Sequence, residues 1–219
     1  MERIISFVIG YFLGCIESGY IYGKLHHIDI REHGSGNAGA TNTLRTLGAK
    51  AGLIVLLTDA GKTLLAMLIA YLIYHTSQPD TYFIYCMYAG LGAIMGHNFP
   101  FYLKFKGGKG IACTGGTVIG FACLTHHYYM IALGIAIFVG VVVATKYVSL
   151  SSLIIVSLFM LSILLYGSLT TIPGLENPLE LYGIGVVLTV CAFYRHKANI
   201  KRLWTHTENK ISLKKKEAE

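Results

Sequence analysis

Two short segments of this chain combine glycine, small polar groups and cations in a pattern suited to holding an anion. The first reads Gly34-Ser35-Gly36-Asn37-Ala38-Gly39-Ala40-Thr41-Asn42, with Arg45 close behind. The second reads Lys104-Phe105-Lys106-Gly107-Gly108-Lys109-Gly110. Glycine lets successive backbone N–H groups turn toward one point, and such a concave nest binds anions. Arginine and lysine add the charge-assisted hydrogen bonds that a phosphate accepts. Ser35 could cap a helix, donate to a phosphate or act as a nucleophile. No base is marked beside it, so the nucleophile is the weakest of the three. The first segment lacks the Gly-Lys-Ser/Thr of a nucleotide-binding P-loop. Each lysine of the second segment, taken singly, would serve as a headgroup anchor. Two adjacent glycines between lysines favour a shaped anion site.

A third candidate is Arg195-His196-Lys197-Ala198-Asn199-Ile200-Lys201-Arg202-Leu203-Trp204. On a helix, His196, Asn199 and Lys201 or Arg202 fall near one another by i,i+3 and i,i+4 spacing. The bland alternative is a juxtamembrane basic anchor with Trp204 at the interface. Lys214-Lys215-Lys216 reads as a solvated or lipid-facing tail.

The elements that must position these segments are membrane spans. The chain has 219 residues, 54% of them hydrophobic and 13% charged, with a mean hydropathy of +0.57. Soluble domains carry about a quarter charged residues. Apolar runs lie near 4–23, 52–74, 81–103, 111–125, 128–145, 148–167 and 181–194. The stretch 111–145 would be roughly 52 Å long as one helix. The hydrocarbon core is about 30 Å thick, so the chain turns back at His126-His127. The expectation is an all-α, single-domain polytopic membrane protein over 1–219, with about seven spans and a basic tail at 195–219. Five or six spans with a re-entrant segment is the alternative.

Charge placement orients the spans. With seven crossings, the basic residues gather in 24–51, 104–110, Lys146 and the tail, while Arg3 alone marks the other side. Lys62 lies within a span. The asymmetry places the glycine segments and tail in the cytoplasm and the N-terminus outside. It also accounts for the net charge of +7 without nucleic acid. The segment Thr171-Ile172-Pro173-Gly174-Leu175-Glu176-Asn177-Pro178 reads as an external turn. The apolar run after Met1-Glu2-Arg3 is interrupted by Glu17 and Ser18 and lacks a clean cleavage site, so it reads as a retained span.

Other chemistry-bearing residues fit simpler roles. Cys15, Cys86, Cys113, Cys123 and Cys191 lie in apolar runs without metal-ligand spacing, which argues against a disulfide framework or metal site. Asp59 and Lys62 sit three apart, suited to an ion pair within a span, whereas Glu17 has no evident partner. His75 and Asp80 fit the His-x4-Asp spacing of soluble-type glycerolipid acyltransferases, but their loop falls away from every basic cluster. No internal repeat is visible.

Taken in order, the segments resemble the bacterial acyl-phosphate:glycerol-3-phosphate acyltransferases, the PlsY family. The resemblance runs from Gly34–Asn42 with Arg45 through Asp59, Lys62, Gly96-His97, Phe105–Gly110 and Tyr147-Val148-Ser149-Leu150. It closes with Arg195-His196, Asn199-Ile200, Arg202-Leu203 and Thr207-Glu208. It implies seven helices in the bacterial inner membrane and a cytoplasmic-side site. It also implies transfer of a fatty acyl group from acyl phosphate to the 1-hydroxyl of glycerol-3-phosphate, without cofactor or metal. Membrane lipid surrounds such a protein, and an upstream enzyme forms its acyl phosphate. By motif position the resemblance gives catalytic roles to Ser35, His196 and Asn199. It gives substrate-binding roles to Gly36, Asn37, Asn42, Arg45, Lys106, Gly107, Gly108 and Ser149. This chain departs from the family pattern at Glu17, where proline is common, and at Thr63 and His206, where glycine is common.

Acyl phosphate is already activated, so positioning and charge stabilisation suffice as the catalytic strategy. In that reading Arg45 and Lys106 hold the glycerol-3-phosphate phosphate, and Ser149 and Asn199 orient the acceptor. Ser35 and its loop hold the donor's phosphate. His196 or the donor's own phosphate accepts the hydroxyl proton. The rivals are a carrier for phosphorylated anions and a scaffold for anionic lipid.

Overall fold

The computed structural model describes residues 1–171 and 178–211. The turn-rich segment at 172–177 and the Lys214-Lys215-Lys216 run lie outside the described residues. Those described form ten α-helices and no strand: α1 (Glu2–Gly14), α2 (Ser18–Leu25), α3 (Ala40–Leu47), α4 (Ala49–Tyr74), α5 (Tyr82–Asn98), α6 (Ile111–Thr125), α7 (Tyr129–Thr145), α8 (Val148–Leu169), α9 (Leu179–Arg195) and α10 (Lys197–Trp204). Short 3-10 turns occupy Ile30–Glu32 and Phe101–Leu103. Among the described residues, three segments are long and apolar enough to cross a membrane: Glu2–Leu25, Ala49–Tyr74 and Val148–Leu169. Ile111–Thr125 and Tyr129–Thr145 are shorter apolar helices.

The first long segment is broken at Cys15–Glu17, where α1 stops before α2 begins at Ser18. Glu17 occupies the N-cap position of α2, but its side chain makes no cap hydrogen bond. The expected reversal between α6 and α7 occurs at His126, whose positive φ ends α6. α7 has no buried residue, and the outward Leu and Ile side chains of α4 and α8 are exposed to the surroundings. In a chain this apolar, those surfaces are the lipid-facing belt.

α5 is the central helix. Buried residues occur all around it, as expected of a helix without a solvated face, and it packs on α1, α4, α6 and α9. Its contact with α1 is backbone on backbone. A Cβ on Gly10 would lie 2.0 Å from the Ala89 carbonyl oxygen, and one on Gly96 would lie 2.0 Å from that of Tyr11. Gly14 and Gly92 are confined in the same way against Ala93 and Phe7. Small residues let membrane helices gain dispersion contact where no hydrophobic driving force exists between them. At the opposite end of the bundle from the basic loops, Arg3 donates to Glu180 and ties α1 to α9.

The helices alternate in direction, so the ends of α2, α5, α7 and α9 and the starts of α4, α6 and α8 share one end of the bundle. The polar connections gather there. Gly92→Ala is expected to separate α1 from α5 and cost roughly 1–3 kcal/mol. A fall in thermal midpoint of the detergent-purified protein measures it. Gly134→Ala on α7, where a Cβ meets nothing within 4 Å, is expected to leave the midpoint unchanged or raise it.

Candidate functional site

At that end a cavity of about 120 Å³ is lined by chain segments far apart in sequence. The loop before α3 and α3 itself contribute Ser35, Asn37, Gly39, Ala40, Thr41, Asn42 and Arg45. The start of α6 contributes Lys109, Gly110, Ile111 and Ala112. Ser149, His196, Asn199, Arg202 and Glu208 close the remaining side. The space takes a polar headgroup rather than a whole lipid. Leu56, Phe138 and Val148 form an apolar margin beside the polar lining.

Of the residues anticipated from sequence, Ser35, Asn37, Asn42, Arg45, Ser149, His196 and Asn199 meet at this cavity. Gly36, Lys106, Gly107 and Gly108 do not line it. The first loop is held by Asn42, which is buried. Its amide nitrogen donates to the Ile30 carbonyl (3.0 Å) and the His33 carbonyl (2.9 Å), and its oxygen accepts from the Ser35 N–H (2.7 Å). Asn42 therefore shapes the loop with every group that would otherwise bind a ligand. Gly36 has φ +70 and sends its N–H to the His33 carbonyl. Asn37 takes the Gly39 N–H. Ala40 and Thr41 also line the cavity, and their N–H groups lack intrahelical partners because they open α3.

The second glycine pair is not an anion nest. The Gly107 N–H donates to the Asn98 carbonyl and the Gly108 N–H to that of His97. The glycines are needed for close approach: a Cβ on Gly108 would sit 2.0 Å from His97 Nε2. Their carbonyls accept from Arg195 (2.6 and 2.9 Å), which locks this loop to the end of α9. Lys104 and Phe105 adopt positive φ values of 55 and 59, and the resulting turn leaves Lys106 exposed while carrying Lys109 inward. Lys109 Nζ donates to the Asn199 side-chain oxygen. Burial, reinforced by Arg202, Arg195 and Arg45, lowers the Lys109 pKa to about 8 even though Glu208 opposes the shift. Burial also lowers that of Arg45, which donates to the Asn209 carbonyl.

Glu208 organises the cationic side and was missed as a site residue from sequence. It is the only acid between Arg195 and Lys210, and an isolated acid inside a basic segment is a signal for a specific partner. One carboxylate oxygen accepts from Ser149 Oγ (3.1 Å) and Asn199 Nδ2 (2.8 Å), and the other from Arg202 Nε (2.8 Å). It thus fixes α10 against the start of α8. The tail helix brings His196 and Asn199 to the cavity and leaves Lys201 exposed. Burial and then Lys109 lower the His196 pKa to about 4, so its imidazole is neutral at neutral pH. Its Nδ1 lies 2.8 Å from the Ala192 carbonyl. That contact selects the Nδ1–H tautomer and leaves Nε2 as a hydrogen-bond acceptor.

Beneath the cavity, Asp59 and Lys62 pair at 2.9 Å, in keeping with their spacing. Asp59 and His97 reach the lining. The His75–Asp80 loop lies at the other end of α4, and His75 stacks on Tyr71. All five cysteines are free, and the described residues hold no cluster able to ligate a metal.

The family model described as glycerol-3-phosphate acyltransferase matches residues 4–206. The chain belongs to the glycerol-3-phosphate acyltransferase family. A family member from Alkaliphilus metalliredigens, named glycerol-3-phosphate acyltransferase, is 42% identical over 215 residues, covering 98% of each chain. Among solved structures, the glycerol 3-phosphate form of PlsY, described as an integral membrane glycerol 3-phosphate acyltransferase, is 29% identical with a TM-score of 0.80. The superposition covers 97% of this chain and 96% of that one. A lysophosphatidic acid form of PlsY matches with a TM-score of 0.78 at 29% identity, over 97% of both chains.

Glu208→Ala is expected to release α10 from α8, raising amide hydrogen exchange across 197–204 by at least tenfold. Glu208→Gln keeps an oxygen for Ser149 and Asn199 and is expected to lie between Glu208→Ala and the wild type.

Proposed function

We propose that this enzyme transfers a fatty acyl group from acyl phosphate to the 1-hydroxyl of glycerol-3-phosphate, forming lysophosphatidic acid and inorganic phosphate. The observation that carries the reading is the composition of this cavity. Arg45, Lys109, Arg202 and the start of α3 offer cations and N–H donors at its polar side, and Leu56, Ile111, Ala112, Phe138 and Val148 offer apolar surface beside them. A polar acceptor and a lipid-like donor, each bearing phosphate, fit that pairing. The glycerol-3-phosphate and lysophosphatidic acid forms of PlsY supply the acceptor and product classes.

The acceptor's hydroxyl oxygen attacks the acyl carbonyl carbon, the carbonyl-carbon-to-phosphate-oxygen bond breaks, and phosphate leaves with that electron pair. Arg45 and Lys109 hold phosphate charge, with Lys109 taking the role expected of Lys106. Ser149 and Asn199, held by Glu208, orient the acceptor. Ser35 Oγ and the Ala40 and Thr41 N–H groups face the donor's phosphate. His196 Nε2 accepts a hydrogen bond from the attacking hydroxyl. A group with a pKa near 4 is a poor match for full proton abstraction at neutral pH, so the departing phosphate is the better final acceptor. The reaction needs no step from Lys106, Gly107 or Gly108.

In this reading the end of the bundle that carries the cavity faces the cytoplasm, which its basic connections support by the positive-inside rule. The reading is a single domain over 1–219 crossing the bacterial inner membrane seven times, its N-terminus outside and its basic tail from 195 in the cytoplasm. An upstream enzyme that forms acyl phosphate supplies the donor.

The test is incubation of purified protein with palmitoyl phosphate and labelled glycerol-3-phosphate, without coenzyme A or carrier protein. Labelled lysophosphatidic acid is expected, and none from a folded sample would overturn the reading. Lys109→Ala is expected to raise the KM for glycerol-3-phosphate at least tenfold, and Lys106→Ala to change it less than twofold. Because the Lys109 pKa is lowered to about 8, its charge is full below that pH and lost above it. The KM is therefore expected to rise as pH passes from 7 to 9, and less steeply in Lys109→Arg.

A further inference from the structure

Asp59 pairs with Lys62, but the pair uses only one of its two carboxylate oxygens. Oδ1 accepts from the Lys62 ammonium and from Ser18 Oγ, both at 2.9 Å. Oδ2 is buried and accepts from no described residue. A buried acceptor left without a donor is costly, more so on a charged group, and such an atom calls for a partner outside the chain. Asp59 is 1% exposed and belongs to the wall of the phosphate cavity. Leu56, one helical turn earlier on α4, lines the same cavity, so this face of α4 is turned toward it.

The other acid of the lining has no oxygen to spare. Glu208 Oε1 accepts from Ser149 and Asn199, and Oε2 from Arg202. The cavity therefore carries two kinds of charged surface. Arg45, Lys109 and Arg202 attract phosphate, and Asp59 Oδ2 repels it while accepting well from a hydroxyl. Glycerol-3-phosphate is divided in the same way, with a phosphate at one end and hydroxyls on carbons 1 and 2. The reaction above gives its phosphate to Arg45 and Lys109 and its attacking 1-hydroxyl to His196 Nε2. The 2-hydroxyl is left.

We propose that Asp59 Oδ2 accepts the 2-hydroxyl of glycerol-3-phosphate, and thereby sets both the requirement for that hydroxyl and the handedness of the acceptor. Phosphate, 1-hydroxyl and 2-hydroxyl each meet a different partner, and three separate attachments distinguish a chiral molecule from its mirror image. Lys62 and Ser18 hold Oδ1, which fixes the orientation of Oδ2. The inference rests on the cavity being the glycerol-3-phosphate site. Acylation of glycerol-3-phosphate by the wild type decides that beforehand, so the comparisons below bear on Asp59 alone.

The experiment measures kcat/KM for glycerol-3-phosphate, for its mirror image and for 3-hydroxypropyl phosphate, which lacks the 2-hydroxyl. In the wild type both analogues are expected to be poorer by about tenfold or more, the size of one hydrogen bond to a charged group. In Asp59→Asn the oxygen stays with the donors Lys62 and Ser18, and the amide nitrogen takes the place of Oδ2. Both ratios are then expected to shrink by about fivefold or more, whereas loss of a purely structural ion pair lowers all three acceptors alike. Wild-type use of 3-hydroxypropyl phosphate within twofold of glycerol-3-phosphate overturns the proposal, and so do unchanged ratios in Asp59→Asn. If Asp59→Asn does not fold, the wild type is given the 2-amino analogue of glycerol-3-phosphate, of the same handedness, at pH 6.5, where the amine is a cation. Among Arg45, Lys109 and Arg202 that cation is tolerated only beside an acid. Better use of it than of 3-hydroxypropyl phosphate supports Asp59, and equal or worse use overturns the proposal.

Discussion

The approach of α1 to α5 through four glycines is the constraint on which the site depends. Membrane helices have no hydrophobic drive toward one another, so intimate contact needs surfaces without side chains. Gly10 and Gly14 on one helix and Gly92 and Gly96 on the other provide it. With α5 seated centrally, its C-terminal carbonyls at His97 and Asn98 accept the N–H groups of Gly108 and Gly107. Arg195 clamps the same loop from α9. Lys109 follows directly and lines the cavity. A helix contact at the core of the bundle thus sets the position of a cation at its end.

Charge at that end is arranged rather than merely accumulated. Arg45, Lys109 and Arg202 would repel one another in a confined space, and Glu208 offsets them while holding Ser149 and Asn199 in place. The acid occupies one edge, so the cations keep donors available for a ligand. Asp59 with Lys62 forms a second, deeper balance. The same economy explains why His196 is neutral: the cations around it and its burial both disfavour a further positive charge.

Much of the scaffold was legible in the sequence because hydrophobic runs have lengths that a bilayer dictates. The reversal at His126-His127 followed from the impossibility of a single long helix, and the i,i+3 spacing of His196 and Asn199 followed from helical geometry. The loops were harder to read. A glycine that offers its N–H to a ligand and one that spends it on a distant carbonyl have the same letter. Gly107 and Gly108 were taken for the first and are the second. Lys104, Lys106 and Lys109 likewise differ only in what two consecutive positive φ values do to the chain between them. Asn42 was recognised as special, but its three hydrogen bonds to Ile30, His33 and Ser35 are tertiary facts without a local signature. Glu17 stood out as an unpartnered charge because its neighbour His97 lies eighty residues away along the chain.

The peripheral position of α7 has a consequence for how the two reactants are counted. This helix buries none of its residues and packs on α6 and α8, while its Phe138 forms part of the cavity wall. One face of the wall is therefore wetted by lipid tails and the other by the polar pocket. In the proposed reaction, a donor dissolved in the bilayer would reach the cavity from the side, and its abundance would be a mole fraction in a two-dimensional solvent. The acceptor arrives from the aqueous end, and its abundance is a concentration in three dimensions. Diluting the membrane with inert lipid and diluting the solution with buffer act on different substrates of the same encounter.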